Sequence, residues 1–509
     1  MMRMPGAATA LLCASVGACA TQTPRTAATV APTPAPTTVM PVATPTSPPR
    51  GSLQGFVDSL VGLPHLANAY WGVLIVAPER NDTLAQMNAD RLFMPASNEK
   101  IVTSAVGLAV LGAKHQWQTT FMRTGPVVNG VLRGDVVVVG SGDPSISSAM
   151  RTDPLTAFDP LILALKASGV RRIAGRIRSS ETPAFPGSPL GYGWDWDDLD
   201  AAYGAGVTEL LFNDAFTDVQ VRGCAAPGKP ACVTTAPLRS SPVIRSAVVT
   251  RAAGTVGPPI EWWRDSANTP GLTLRGSIPA GETMTFSASQ PDGRATFLAA
   301  VTEALTRAGI TVRNRVSADP GRRDTLAVLQ SRMLGDVLPA LLKPSQNQLA
   351  EVVFRSIGRE RTGVGTPDSA RVAIERELTA WGVRPDAHAI RDGSGLSRHD
   401  YLTPRAIVQV LDTTRRRADF SVFYDAMPIA GLEGTLQNRM QAFAQGRVRA
   451  KTGTVDKVRA LSGYVTTADG EMLIFSLITN NHTVPNREVD RIHELIVEQL
   501  VTMRRGAPR

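Results

Sequence analysis

Aromatic residues are scarce, with Phe, Trp and Tyr together at 5% of the chain. Basic blocks are also missing: a net charge of +9 is spread over 509 residues, mostly as Arg. A nucleic-acid surface needs basic runs interleaved with aromatics, so a nucleic-acid partner is not expected. A diffuse basic surface suits an anionic cell envelope. Beyond the N-terminus no segment reaches about 18 uninterrupted apolar residues, which argues against a later membrane span. The six His residues (65, 115, 388, 399, 482 and 493) form no His-Glu-x-x-His, and no Gly-x-Ser-x-Gly elbow occurs. Zinc-peptidase and Ser-His-Asp readings therefore lose their usual signals. No metal or organic cofactor is implied.

Cysteine is nearly absent too, and each of the four has its own reading. Cys13 lies within an apolar stretch, Ala7 to Val16, that follows Arg3. This stretch is too short to span a bilayer and reads as an export signal over residues 1–19. Val16-Gly17-Ala18-Cys19 resembles a lipobox, with Cys19 as the lipidation site; Ala18-Cys19-Ala20 also fits ordinary cleavage. A membrane association is expected only through such a lipid. Cys224 and Cys232 flank a Gly/Pro-containing loop, and export favours a disulfide between them. A zinc pair is the poorer reading, because the spacing is wrong and no His lies near.

Residues 20–52 read as a tether. Of residues 21–50, seventeen are Pro or Thr and none is acidic. Such a segment buries no core, and at about 3.1 Å per residue it reaches roughly 90 Å. A chain of this length is expected to form several domains. Folded sequence starts near Leu53, with a strand at Tyr70 to Val76 and a second near Leu84 to Met87 after an Asn81-Asp82 turn. A helical pattern runs from Ser97 to a stop at Gly112. Residues 116–290 are rich in Gly, Pro, Val and Thr, with strand-like runs at Val136 to Val139 and Phe216 to Val221. They read as an inserted, mostly β region between two halves of one domain, 53–115 and 291–509. Helical periodicity returns at Thr296 to Ala308 and Leu334 to Leu342. Near the end, Val448 to Val455, Leu461 to Thr467 and Met472 to Thr479 predict three antiparallel strands. Asp469-Gly470 turns the last two, and a terminal amphipathic helix follows.

Three short segments carry chemistry. In Ser97-Asn98-Glu99-Lys100 a Ser at a helix start has a Lys one turn on, so the amine reaches the hydroxyl. A serine needs a base beside it, and Lys serves only when neutral, which burial or a second cation promotes. Ser345-Gln346-Asn347 sits between two helical runs, placing Ser345 to relay a proton and Asn347 to hold the Lys or a substrate amide. Lys451-Thr452-Gly453-Thr454 lies on the first C-terminal strand, where Gly453 leaves room for a ligand and the strand pairs with an extended peptide. Each motif alone is weak. Ser-x-x-Lys is usually a solvated helix start, Ser and Asn around Pro usually cap helices, and Lys-Thr-Gly is usually a strand end.

Together and in this order, the three resemble the motif set of penicillin-binding proteins and serine β-lactamases. The first two serines are 248 residues apart, while Ser345 and Lys451 are 106 apart. This long first interval resembles class C penicillin-binding proteins, the D-Ala-D-Ala carboxypeptidase/endopeptidase family. Further stretches are similar to that family over about residues 55–500: Gly134-Asp135 to Pro144, Gly193-Trp194-Asp195-Trp196-Asp197-Asp198, Asp392-Gly393-Ser394-Gly395-Leu396-Ser397-Arg398, and Gly431 to Leu436. The resemblance implies an α+β transpeptidase-like domain, an antiparallel sheet with helices, carrying a large mostly-β insertion. It implies serine DD-peptidase activity on peptidoglycan stem peptides through an acyl-enzyme on Ser97, and β-lactam antibiotics as covalent inhibitors. It also implies that Asp198, with Tyr203 beside it, contacts the amino group of a diaminopimelate side chain. The sequence departs from the family at Gln346, where Asp is common; little functional change is expected. The rivals are a serine β-lactamase, against which the long insertion and the 392–398 stretch speak, and a non-catalytic peptidoglycan-binding protein, against which Lys100 and Ser345 speak.

Overall fold

The computed structural model describes residues 53–239, 242–264, 271–313 and 323–506. The signal at 1–19, Cys19 and the tether at 20–52 lie outside the described residues.

The alternating and continuous apolar runs at the two ends of the chain meet in one antiparallel sheet. Strands β1 (Tyr70–Ala77) and β2 (Asp82–Met87) form a hairpin, and β3 (Val448–Val455), β4 (Val458–Thr466) and β5 (Met472–Asn480) form a meander. The order is β3-β4-β5-β1-β2, closed by β1 against β5 in the register Val73 to Leu477. Period-two alternation puts apolar residues on both faces. Val73, Ile75, Leu461, Phe475 and Leu477 pack with α1 (Leu53–Val61) and the terminal helix. On the other face Leu74, Ala460, Ile474 and Ile478 meet a second layer of helices. These are α2 (Glu99–Leu111), α3 (Leu334–Leu342), α4 (Asn347–Thr362) and α5 (Pro404–Arg415); the terminal helix is α6 (Asn486–Thr502). Helix–sheet–helix layering is the stable way to bury a sheet that is apolar on both sides.

Between α2 and α3 the chain leaves this domain and, among the described residues, builds four small sheets of three or four strands. One core of the excursion joins Phe121, Phe158 and Phe212 to Phe297, Ala300 and Val301. The sequence reading ended the insertion at 290, and here the structure differs. Helix Gly293–Arg307 packs its apolar face into the inserted core, and Asp324–Gln330 pairs antiparallel with Gln118–Arg123. The excursion therefore returns to the first core only near Ser331, whose backbone N–H donates to the Trp117 carbonyl. Helical period alone does not say which core a helix faces, which is why the boundary was misplaced. Cys224 and Cys232 are joined by a disulfide across the expected loop.

Candidate active site

Ser97 lies in a 3-10 turn, Ala96–Asn98, that runs into α2. This turn is pinned to the sheet: the Asn98 side-chain amide donates to Ser462 Oγ at 2.7 Å, and Ser462 Oγ donates to Ser476 Oγ at 2.9 Å. One turn on, Lys100 is fully buried and its Nζ lies 2.8 Å from Ser97 Oγ. Two further contacts hold the amine, Asn347 Oδ1 at 2.7 Å and the Ser394 carbonyl at 2.6 Å.

Ser345 sits in the loop between α3 and α4 with a left-handed φ of 66°, and its Oγ is 2.8 Å from Lys451 Nζ. Lys451 also donates to its neighbour's carbonyl, Thr452 O, at 2.8 Å. Thr452 Oγ1 donates to Thr435 Oγ1 at 2.8 Å, so the Gly431–Leu436 stretch braces the strand. Thr454 is exposed and its hydroxyl meets Arg459. β3 ends its sheet; Ala430 donates to the Val448 carbonyl and Ala450 to the Pro428 carbonyl along its outer edge, and the strand runs on past this pairing through Thr452–Thr454.

Three expectations shift in detail. Gly453 leaves room for protein rather than ligand: a Cβ there would stand 2.7 Å from the Pro95 carbonyl oxygen and 3.3 Å from the Ala96 Cβ. Asn347 was read as a holder of the Lys or of a substrate amide. Both ends of its amide are taken up within the protein, Oδ1 by Lys100 and Nδ2 by the Tyr203 carbonyl at 2.9 Å. Of the two expected causes, burial and a second cation, burial is the one that makes Lys100 less basic. Desolvation pulls the amine down to about 8, against the opposing charges of Asp392, Glu351, Glu99 and Asp400. Burial likewise holds Lys451 well below the usual lysine range, and the Lys100 charge adds to this.

Asp198 lies in a short turn of the insert, and the Tyr203 phenol donates to its Oδ1 at 2.7 Å. Burial, then this bond, pushes the Tyr203 hydroxyl upward. The Tyr203 carbonyl bonds Asn347, so the Asp198–Tyr203 pair reaches the site through one side chain. Gln346, where the resemblance leads one to expect Asp, donates to Asp214 Oδ2 of the insert at 2.9 Å.

Sequence reasoning missed the buried acids around Lys100. Glu99, Glu351, Asp392 and Asp400 are all buried. Burial, then the Asp392 charge, pushes Glu351 up to about 8, and the same two causes raise Glu99 and Asp400 well above the carboxylate range. Glu99 stands in the Ser-x-x-Lys motif itself, where nothing in its spacing separates a buried acid from a solvated one.

The fold and the three converging motifs agree with comparisons to known proteins. The chain is 32% identical over 450 residues to the D-alanyl-D-alanine carboxypeptidase of Actinomadura sp., covering 84% of this chain and 81% of the relative. It resembles the crystal structure of penicillin binding protein 4 (dacB) from Haemophilus influenzae with a TM-score of 0.72 and 23% identity, covering 86% of this chain and 99% of that one. The same protein complexed with a novel β-lactam gives a TM-score of 0.69 at 21% identity, covering 88% and 99%. The model of the D-Ala-D-Ala carboxypeptidase 3 (S13) family matches residues 53–500, and the chain belongs to that family.

Proposed function

We propose that Ser97 is the acylated nucleophile of this D-Ala-D-Ala carboxypeptidase and Lys100 its general base. The observation that carries the reading is the 2.8 Å contact between Ser97 Oγ and a buried amine pulled down to about 8. Neutral Lys100 takes the Ser97 proton as Oγ attacks the carbonyl carbon of the penultimate D-Ala. The N–H groups of Ser97 and Thr454 receive the oxyanion, a contribution of order several kcal/mol. Ser345, bonded to Lys451, relays the proton that Lys100 took to the leaving amine as the C–N bond breaks, which returns Lys100 to its neutral form. Water then attacks the acyl-enzyme, releases the shortened peptide and returns the proton to Ser97. Lys451 and Thr452 bind the terminal carboxylate, while Asn347 and Gly453 hold the frame around it. Asp198, with its carboxylate beside the Tyr203 phenol, takes the amino group of the stem-peptide side chain.

Penicillin acylates Ser97 in the same way; a neighbour of this fold has been crystallised with a β-lactam. The test is intact mass after penicillin treatment. A covalent increase is expected in the parent and none in Ser97→Ala; unchanged labelling of the variant refutes the assignment. Products from purified cross-linked muropeptides then separate carboxypeptidase from endopeptidase action, since monomers formed without loss of D-Ala mean the latter. Val16-Gly17-Ala18-Cys19 supports an exported protein tethered through a lipid on Cys19, and a lipid-modified mass on that residue tests it.

A further inference from the structure

We propose that Asp392 is a positioning residue for the base: it holds the Ser394 carbonyl against Lys100, and Trp194 of the insert locks it in place. The inference rests on the roles given to Ser97 and Lys100 above.

A neutral primary amine has two hydrogens and one lone pair. Of the three atoms around Lys100 Nζ, the Ser394 carbonyl and, with the side-chain amide oriented as it is, Asn347 Oδ1 are acceptors only. They take the two hydrogens, and the lone pair is left facing Ser97 Oγ. The Ser394 carbonyl therefore orients the base as well as anchoring it.

Asp392 fixes that carbonyl. Its Oδ1 accepts the N–H of Ser394 at 3.0 Å and of Gly395 at 2.6 Å. Its Oδ2 accepts the N–H of Ser397 at 2.8 Å, the Ser394 hydroxyl at 3.2 Å and the Trp194 indole N–H at 2.7 Å. Five donors thus wind the 392–397 turn around one buried carboxyl. The turn presses on the nucleophile segment: Gly395 has a φ of 75°, and a Cβ there would lie 1.9 Å from the Ala96 carbonyl oxygen. Trp194 brings the fifth donor from the insert, so the insert takes part in aiming the base.

The charged groups around Lys100 are Glu99 on its own helix, Glu351 on α4, Asp392 in the turn, Asp400 just after it, and Lys451 on β3. Among the carboxyls, Asp392 has the largest effect in keeping the amine protonated.

The experiment is stopped-flow acylation of the full chain by a fluorescent penicillin, separating initial binding from the first-order acylation step, at pH 5 to 10. Asp392→Asn keeps an oxygen for Ser394 and Gly395 but turns an amide N–H toward the donors of Ser397 and Trp194. The acylation constant is expected to fall about 100-fold or more with initial binding unchanged, and its acid limb to move to lower pH. Trp194→Phe removes only the indole donor and decides the matter if the first variant does not fold. Its acylation constant is expected to fall about 5–20-fold, with all sites still titratable. Parent acylation constants in Trp194→Phe overturn the proposal. So does a loss in Asp392→Asn that only tracks the fraction of titratable sites with the pH limb unmoved. Ser97→Ala run alongside keeps the two levels apart. Labelling of that variant sinks the underlying reading; an unlabelled Ser97→Ala with parent-like Asp392→Asn and Trp194→Phe sinks this inference alone.

Discussion

Gly453 runs directly beneath Pro95, with room for a hydrogen but not a methyl: an added Cβ would be 2.7 Å from the Pro95 carbonyl oxygen. Gly453→Ala must push the Ala96–Asn98 turn away from β3. Overpacking of this kind costs about 1–3 kcal/mol. A displacement near 1 Å at a reacting group costs roughly 100-fold in rate. Thermal melting and penicillin acylation kinetics are expected to show both losses, the kinetic one equivalent to about 2.7 kcal/mol.

With Lys100 as the proposed base, acylation carries a pH signature. Burial pulls Lys100 down to about 8, so its reactive neutral form grows as pH rises through that value. The acylation rate is expected to climb between pH 6 and 8 and level off above about 9. Lys100→Arg keeps the charge but gives a guanidinium that does not lose its proton. Acylation is expected to drop about 10²–10⁴-fold and the rise near pH 8 to vanish.

Gln346 is matched to a buried acid. Its amide donates to Asp214 Oδ2, and burial lifts Asp214 to about 6. Gln346→Asp places a second carboxyl where the donor was. Denaturant unfolding at pH 8 is expected to show a loss of about 1–3 kcal/mol. The loss narrows near pH 5, where the folded state keeps a proton on Asp214 that one carboxyl can donate to the other.

Glu351 makes a linkage prediction of definite sign. Its folded carboxyl is raised from 4.5 to about 8. Across that window the folded state keeps a proton that the unfolded chain releases. This group's contribution to stability is therefore full below pH 4.5 and is lost as pH rises through 8. Glu351→Gln retains the oxygen that accepts the Gly393 N–H and removes the titration. The variant is expected to match the parent near pH 4.5 and to exceed it by on the order of 2–5 kcal/mol above pH 8, measured by denaturant unfolding.

The strands, the helix starts and the three motifs were legible because each rests on a short period or spacing within one segment. The strands read at Tyr70 to Val76 and Val448 to Val455 form, the first running one residue further to Ala77, and Ser97 meets Lys100 as Ser345 meets Lys451. What stayed hidden has no residue signature. The Ser394 carbonyl is a backbone atom that any residue supplies. Glu99 and Glu351 are acids whose burial depends on helix packing, and Trp194 meets Asp392 across 198 positions of sequence. Gly453 was recognised as a place of close approach, but spacing does not reveal whether ligand or protein approaches.

The central sheet also dictates when the enzyme comes into being. Strand β1 finds its β5 neighbour about four hundred residues downstream, Tyr70 against Asn480. A nascent chain that has emerged only as far as the insert has an apolar first hairpin with an unpaired edge. Assembly of this sheet must wait for nearly the whole polypeptide, and pairing over so long a separation makes the domain slow to mature.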